Sequence, residues 1–505
     1  MADICHMRGS ELSQRTAVVG TALSVRQLCH CLGGVASPPE VVGCIVPDRA
    51  AAAELPVPVL GLLEELETSL KTAGVEQVLL CLPLAMADQR RRVEDRLDRM
   101  GVRHRFVPTL GDQLAGRIDP EAQAGAAVFS LAVPEIDPAA LLDRSSHPLD
   151  DRLIRGRLAG RRVAITGAGG SIGSELARAV CRFAPAELLL IERSENALFE
   201  IDRELGRVFP EIPRRAILHD VTQRPRTFEL CGEHRPEVVF HAAAHKHVPM
   251  MEEHPSAAVE NNFMGTRAIA DAAVACGAER FVMISTDKAV NPSSIMGASK
   301  RLAELYVQHL DRGSRTKLCM VRFGNVLGSA CSVLPIWAQE LRRGGPLSVT
   351  HRDMQRYFMT IPEAAGLVLQ AGALSDGGEV LLLDMGEPIY IHDLAERFCR
   401  LHGFEPGVDV RIRITGPRPG EKLYEELAYA GEDMLPTDHA SVRIWRTTPP
   451  TPARIQHISH TLDRLRDGDE AHPKSSPWQG VDRDTVIRAI RSLLPEMTPA
   501  VAAAG

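Results

Sequence analysis

Short β-branched runs alternate with stretches of helical period along most of the chain. Between residues 16 and 111 the runs TAVVG, VVGCIVP, VEQVLLCLPLA and VRHRFVP are separated by helical patterns, among them the charged DQRRRVEDRLDRM. Strands buried on both faces read as continuous apolar runs, and a helix must bring the chain back between them. The rhythm therefore predicts a parallel sheet covered by helices. A second series begins at Arg161 with RRVAIT, AELLLIE, AILHDV, PEVVFHAAA, RFVMIST and CMVRFGNV. Between the two, residues 112–160 are acidic and punctuated by proline (PEIDPAALLDRSSHPLDDRL), which suits a connector with a little structure of its own. The expectation is an α/β chain with one domain at 1–135, a linker at 136–160 and a larger domain at 161–505.

Composition narrows the function. The chain has 505 residues, with 58 Lys+Arg against 65 Asp+Glu and a net charge of −7. That balance suits a soluble protein of two or three domains and makes nucleic acid a poor first guess as partner. No apolar run approaches the roughly 18 residues of a membrane helix, and the N-terminus MADICHMRGS lacks the apolar core of a signal peptide, so a cytoplasmic location is expected. The 11 cysteines are scattered, and Cys29 and Cys31 have the wrong spacing for a CxxC element. Reduced thiols and no metal site are the expectation. All five tyrosines lie at or after Tyr306.

The two series differ at their first turn. The first reads Gly20-Thr21-Ala22-Leu23-Ser24-Val25, where a dinucleotide turn needs Gly-x-Gly-x-x-Gly, and only the first glycine is present. This predicts a degenerate Rossmann-like domain that binds no dinucleotide. The second reads Gly167-Ala168-Gly169-Gly170-Ser171-Ile172-Gly173, set between a strand and an amphipathic helix. Glycines there allow a tight turn and close approach of a pyrophosphate, whose charge is met by the helix N-terminus. The next strand ends at Glu192, about where an acidic side chain accepts the adenosine ribose hydroxyls, which predicts NAD. Arg193 beside it would instead meet the 2′-phosphate of NADP, the less favoured cofactor. Ser171, Ile172, Asp220, Val221, Ala242, Ala243 and Ala244 complete the expected cofactor wall; the alanines follow a β-branched strand and leave room at the backbone.

The strand RFVMIST runs into Thr286-Asp287-Lys288, and after AVNPSS a helix opens with Ile295-Met296-Gly297-Ala298-Ser299-Lys300. The glycine turn, HAAAHKHVPMMEEHP, STDKAVNPSSIMGASKRLAE, RFGNVLGS, RYFMTIPEA, LDMGEPIYIHDLA and RPGEKLYEEL together resemble the extended short-chain dehydrogenase/reductases of polysaccharide biosynthesis, and within them the UDP-N-acetylglucosamine 4,6-dehydratases. The resemblance spans about residues 15–500, with the motifs in family order. Most of that superfamily has a catalytic tyrosine four residues before the lysine of this helix. Met296 stands there instead, without an ionisable proton. The large, N-terminally extended dehydratases are similar to this chain in having Met at that place together with a Thr-Asp-Lys triplet.

What the resemblance implies is a redox-neutral reaction. Hydride leaves C4 of the sugar for the nicotinamide, the 4-ketone acidifies the C5 proton, a base removes it, water leaves from C6 with help from an acid, and the hydride returns to C6. Lys288 would be the C5 base, its pKa lowered by burial, and Asp287 the acid at the C6 hydroxyl. Thr286 would hydrogen-bond the C4 hydroxyl, and Lys300 would hold the nicotinamide ribose and help conduct the C4 proton. With a thioether at Met296, Lys288 would both take and return the C5 proton, giving retention at C5 and the xylo-configured 4-keto sugar. On the UDP-sugar side the resemblance implies Asn325 and Arg356 at the diphosphate and Arg418 and Glu421 at phosphate and ribose, with Lys246, His247 and Asn262 beside the cleft. A homodimer or larger homo-oligomer is expected, built on an intermolecular four-helix bundle of the Lys300 helix and the one through NFMGTRAIADAAVACG. Relatives of this type often carry a preceding membrane-spanning bundle, and none is present in this chain. Two alternatives stay open: a nucleotide-sugar 4-epimerase, which needs no acid and base at C5 and C6, and a non-catalytic nucleotide-binding regulator.

Overall fold

The computed structural model describes residues 15–33, 39–48, 55–83, 86–107, 109, 141–142, 148–342, 345–402, 404–408, 410–427, 434–469 and 472–497. The chain forms two units. One comprises Met1–Leu141, Leu334–Val349 and His392–Ile414; the other comprises Leu142–Val333, Thr350–Ile391 and Thr415–Gly505.

In the first unit β1 (Arg15–Gly20), β2 (Glu40–Val46), β3 (Val59–Leu62), β4 (Gln77–Cys81) and β5 (Arg103–Phe106) form a parallel sheet in the order β3-β2-β1-β4-β5. Successive side chains of a strand point to opposite faces, and β1 is covered on both. Val18 packs with Val25, Leu28 and Leu32 of the helix Ala22–Gly33. Ala17 and Val19 pack with Leu70, Val93 and Leu97 of the helices Leu66–Thr72 and Ala87–Met100. At the first turn, a Cβ on Gly20 would lie 2.4 Å from Cys81 Sγ and 2.6 Å from Ser24 Oγ. Thr21 Oγ1 accepts from Ser24 N at 3.2 Å, so the helix start is capped by its own neighbour. The later segments of this unit pair Leu347–Val349 in parallel with Ile412–Ile414. They fall within the span expected to belong wholly to the larger domain.

The second unit is built on nine strands. β6 (Arg162–Thr166), β7 (Glu187–Glu192), β8 (Arg214–Leu218), β9 (Val238–His241), β10 (Arg280–Ile284), β11 (Lys317–Arg322) and β12 (Val380–Leu383) are parallel. β13 (Met434–Pro436) and β14 (Val442–Trp445) add an antiparallel edge, giving the order β13-β14-β12-β11-β10-β9-β6-β7-β8. The strand order reverses at β6, between β7 and β9, which opens a crevice at their carboxyl ends. Of the expected linker, residues 136–140 and 143–147 lie outside the described residues, while Asp151–Leu158 is a helix of the second unit, capped by Asp150 Oδ1 on Leu153 N and buried through Ile154 and Leu158. Among the described residues the cysteines are free thiols, no His/Cys/Asp/Glu group is placed to hold a metal, and no helix is long and apolar enough to cross a membrane.

The Lys300 helix (Ile295–Asp311) is enclosed, with thirteen of its seventeen residues buried. The helices Pro452–Asp467 and Arg483–Leu493 lay Ile455, Ile458, Leu462, Val486, Ile490 and Leu493 into one cluster with Met296, Leu302, Leu305 and Phe263. Arg267 clamps Asp463 with bonds of 2.9 and 2.6 Å, and Arg466 holds Glu260 with bonds of 2.7 and 3.0 Å. Part of the surface of the Lys300 helix is thus packed against this chain's own C-terminal helices.

Inside that enclosure Arg322 and Glu304, both with side chains wholly out of solvent, form two parallel bonds of 2.6 Å. Ser285 Oγ donates to the same carboxylate at 2.7 Å and Arg301 at 3.1 Å, while Arg322 lies 4.3 Å from the Trp445 ring centre. Burial alone would push the Glu304 carboxyl up, but the two arginines and Ser285 bring it down to about 2. A depressed carboxyl contributes stability that is complete above its ordinary value and is lost as pH falls toward about 2. Glu304→Ala leaves Arg322 buried and unpaired, so urea unfolding at neutral pH should show a loss of roughly 3–5 kcal/mol.

Candidate active site

Both expected cofactor segments border the crevice, the glycine turn after β6 and the alanines after β9. Gly167 has φ +68°, and a Cβ there would stand 2.7 Å from Ala243 N and Cα. A Cβ on Gly173 would stand 2.0 Å from Gly167 O. Only glycine lets the turn close onto its helix and onto β9. The cleft, of about 260 Å³, brings together Gly167, Gly169, Gly170, Glu192, Arg193, Asp220, Val221, Ala242, Ala243 and Ala244. His219, His245 and Asn261, which the sequence pattern did not single out, also line it. Ser171 and Ile172 lie elsewhere: Ser171 Oγ accepts from Ala330 N at 3.0 Å, and Ile172 packs on the core.

Glu192 accepts from the backbone N–H groups of Gly169 at 3.2 Å and of Arg193 and Ser194 at 2.9 Å, tying the end of β7 to the glycine turn. Arg193 faces Asp220 at 3.7 Å and bonds Asn261 at 3.3 Å, with His245 also against its guanidinium. It is therefore held by a carboxylate and an amide. Lys300 is 4% exposed and makes no side-chain hydrogen bond among the described residues. Burial outweighs the nearby Glu304 and lowers its ammonium to about 8. Fully buried His241, between Thr166 and Thr266 at 2.7 and 2.9 Å, is pushed down to about 3 and stays neutral.

The triplet after β10 turns into a short 3-10 segment, Asp287–Ala289, so its side chains do not alternate as they would along a strand. Thr286 Oγ1 donates to Asp287 Oδ1 at 2.9 Å, and Lys288 Nζ donates to the same oxygen at 3.0 Å. Asp287 Oδ2 is buried and has no hydrogen-bond partner. Lys288 also donates to Asn325 Oδ1 at 3.1 Å and lies 3.6 Å from Glu425 Oε1. Burial pulls the Lys288 ammonium down, but Asp287 and Glu425 outweigh it and the net shift is upward. This corrects the expected lowered pKa, since two carboxylates beside a half-buried cation stabilise its charged form. Met296 is buried among apolar side chains.

Several residues expected on the substrate are engaged by the chain itself. Asn325 sits on Lys288. Arg356 donates to the carbonyls of Gln355, Leu423 and Lys422 at 2.7, 3.2 and 2.8 Å, so its fork braces a loop and is not turned to a diphosphate. Asn262 is fully buried and uses its amide on both backbone groups of His245 and on Ser299. Glu421 accepts from Arg418 N at 3.1 Å and closes a turn. Lys246 donates to Ser329 Oγ at 3.3 Å and Ala330 O at 2.9 Å. Partial burial and the cations Lys246 and Arg418 hold the His247 imidazole below its usual value, which places these three side chains in one neighbourhood. Arg418 itself is exposed. Glu425, in the buried cluster, was missed; only its place in a quoted motif pointed to it.

The family model described as polysaccharide biosynthesis protein matches residues 163–447. The probable polysaccharide biosynthesis protein EpsC of Bacillus subtilis is 43% identical over 377 residues, 74% of this chain and 61% of its own length. The capsular polysaccharide biosynthesis protein CapD of Staphylococcus aureus is 42% identical over 378 residues, 74% of this chain and 61% of its own length. This chain thus spans about three fifths of the length of those relatives. A UDP-glucose 4-epimerase of Rickettsia canadensis is 31% identical over 54% of this chain and 79% of its own. Among solved structures, Pen from Bacillus thuringiensis is 30% identical with a TM-score of 0.53, covering 59% of this chain and 91% of that one.

The Thr286-Asp287-Lys288 triplet and the Lys300 helix come closest at Gly297. A Cβ on Gly297 would stand 2.1 Å from Lys288 O. Gly297→Ala must push the helix start off the triplet, and thermal melting should show a loss of roughly 1–3 kcal/mol.

Proposed function

The chain belongs to the polysaccharide biosynthesis protein family, and on that premise we propose that it is an NAD-dependent nucleotide-sugar 4,6-dehydratase acting on UDP-N-acetylglucosamine. The product is UDP-2-acetamido-2,6-dideoxy-4-keto-hexose with retention at C5. The observation that carries the reading is the Asp287–Lys288 pair, its carboxylate buried with one oxygen unpartnered, beside the helix of Lys300. The glycine turn, Glu192 and the alanine wall suit a dinucleotide, which when bound supplies hydride uptake and return.

The residues of the chain handle protons. Thr286 and Lys300 serve the C4 hydroxyl and the nicotinamide ribose, and an ammonium titrating near 8 can pass a proton at neutral pH. Lys288 starts charged, so it becomes a base only by giving up a proton. Moving that proton along the 3.0 Å bond to Asp287 Oδ1 converts an ion pair into a neutral amine and a carboxylic acid, creating base and acid in one step. The amine then takes the C5 proton, and Asp287 protonates the departing C6 hydroxyl. The proton lost from the C4 hydroxyl on oxidation balances the one that leaves in water. Lys288 returns the C5 proton to the face it came from, since the Met296 thioether offers none.

The second reading, a 4-epimerase, is favoured by the UDP-glucose 4-epimerase relative but leaves the Asp287–Lys288 pair without work at C5 and C6. Mass spectrometry of UDP-N-acetylglucosamine incubated with the protein distinguishes them: loss of one water for the dehydratase, no mass change for the epimerase. Lys288→Met and Asp287→Asn should each abolish water loss while NAD binding stays within a few-fold; wild-type rates in either variant would remove the assignment. NAD should support the reaction better than NADP, because Glu192 in the cleft would repel a 2′-phosphate and Arg193 already faces Asp220. Proton NMR of fresh product should show the xylo configuration, and an arabino first product would place a different proton donor on the opposite face.

A further inference from the structure

Glu425 lies in RPGEKLYEEL, far along the chain from the catalytic triplet, yet its side chain is only 4% exposed and its Oε1 stands 3.6 Å from Lys288 Nζ. A carboxylate is kept out of water only when cations repay its lost hydration. Two cations face it here, Lys288 and Arg356 Nε at 3.8 Å, and they offset only part of the burial, which still holds the Glu425 carboxyl above its usual range. The Arg356 fork is at the same time bonded to the carbonyls of Lys422 and Leu423, just ahead of Glu425, so one guanidinium both fixes the backbone and neighbours the carboxylate. The remaining groups that act on this carboxylate are Asp287, which opposes its charge, and Lys422, which favours it. Tyr357 feels the Asp287 charge from the adjoining segment.

The reaction makes a second carboxylate useful. When Asp287 carries the proton destined for C6, it no longer balances a positive Lys288, yet this is the stage at which Lys288 gains the C5 proton. A neighbour that keeps its charge would stabilise the ammonium as it forms. We propose that Glu425 is a positioning residue that acts through Lys288, holding Nζ beside Asp287 and stabilising the ammonium created by C5 deprotonation, as the carboxylate behind a general base does. Glu425 itself gains and loses no bond. This inference rests on the dehydratase reading.

The test compares wild type, Glu425→Gln and Glu425→Asp as full chains. Two quantities are measured: kcat and KM for UDP-N-acetylglucosamine, and, without substrate, the pH dependence of Lys288 modification by an amine-reactive reagent read by peptide mass spectrometry. Glu425→Gln keeps the shape and removes the charge. It should lower kcat roughly ten- to a hundredfold with KM little changed, and move Lys288 reactivity to lower pH by about one unit. Glu425→Asp should restore part of both. Unchanged kcat with an unchanged Lys288 profile overturns the proposal, as does a raised KM at constant kcat, which would make Glu425 a substrate ligand. If Glu425→Gln does not fold, Glu425→Ser takes its place as the variant without the charge, and an unshifted Lys288 profile there is equally adverse. Absence of water loss in wild type, with the Lys288 shift still present, sinks the dehydratase reading and leaves the Glu425–Lys288 coupling standing.

Discussion

Everything chemical in the second unit hangs on the buried ion pair between Arg322 and Glu304. Glu304 is on the Lys300 helix, Arg322 ends β11, and Ser285, bonded to the same carboxylate, immediately precedes the Thr286-Asp287-Lys288 turn. Two charges without water constrain distance and angle far more tightly than apolar contact does, because any loosening leaves a bare charge. The pair thereby sets the separation between the helix that presents Lys300 and the strand end that presents Lys288.

The two lysines show how local charge decides what a side chain can do. Lys300 is buried and Lys288 half-buried, and burial alone lowers both. Lys288 has Asp287 and Glu425 beside it and is pulled upward, whereas Lys300 faces only Glu304, whose carboxylate already lies between two arginines, and it settles near 8. One is therefore a held ammonium, which on the proposed reaction must be relieved of a proton before it acts as a base, and the other titrates close to neutrality. The same residue type takes two roles through its neighbours alone.

The C-terminal helices illustrate a different constraint. A helix buried over most of its surface must be covered on most sides, and the cover can come from another copy or from the same chain. Here Pro452–Asp467 and Arg483–Leu493 supply it, with Arg267–Asp463 and Arg466–Glu260 fixing their placement. The Lys300 helix thus packs against helices of its own chain.

Much was legible in the residues themselves. The β-branched runs and helical periods predicted both parallel sheets, because a strand buried on two faces has no room for polar positions. The spacing of Gly167, Gly169, Gly170 and Gly173 marked the turn, since only glycine tolerates the approach of Ala243 and of the turn to its own helix. The Thr286-Asp287-Lys288 triplet stood out because its chemistry is contained in adjacent residues. What tertiary structure decided is where distant charges end up: Glu425 and Asn325 on Lys288, Arg356 on the loop that carries Glu425, Asn262 on His245, and the C-terminal helices over the Lys300 helix. A side chain's type states which partners it can take, but the partner it gets depends on which segments the sheet order brings within a few ångströms. Electrostatic roles fall off over such distances, so they belong to the fold more than to the sequence around them.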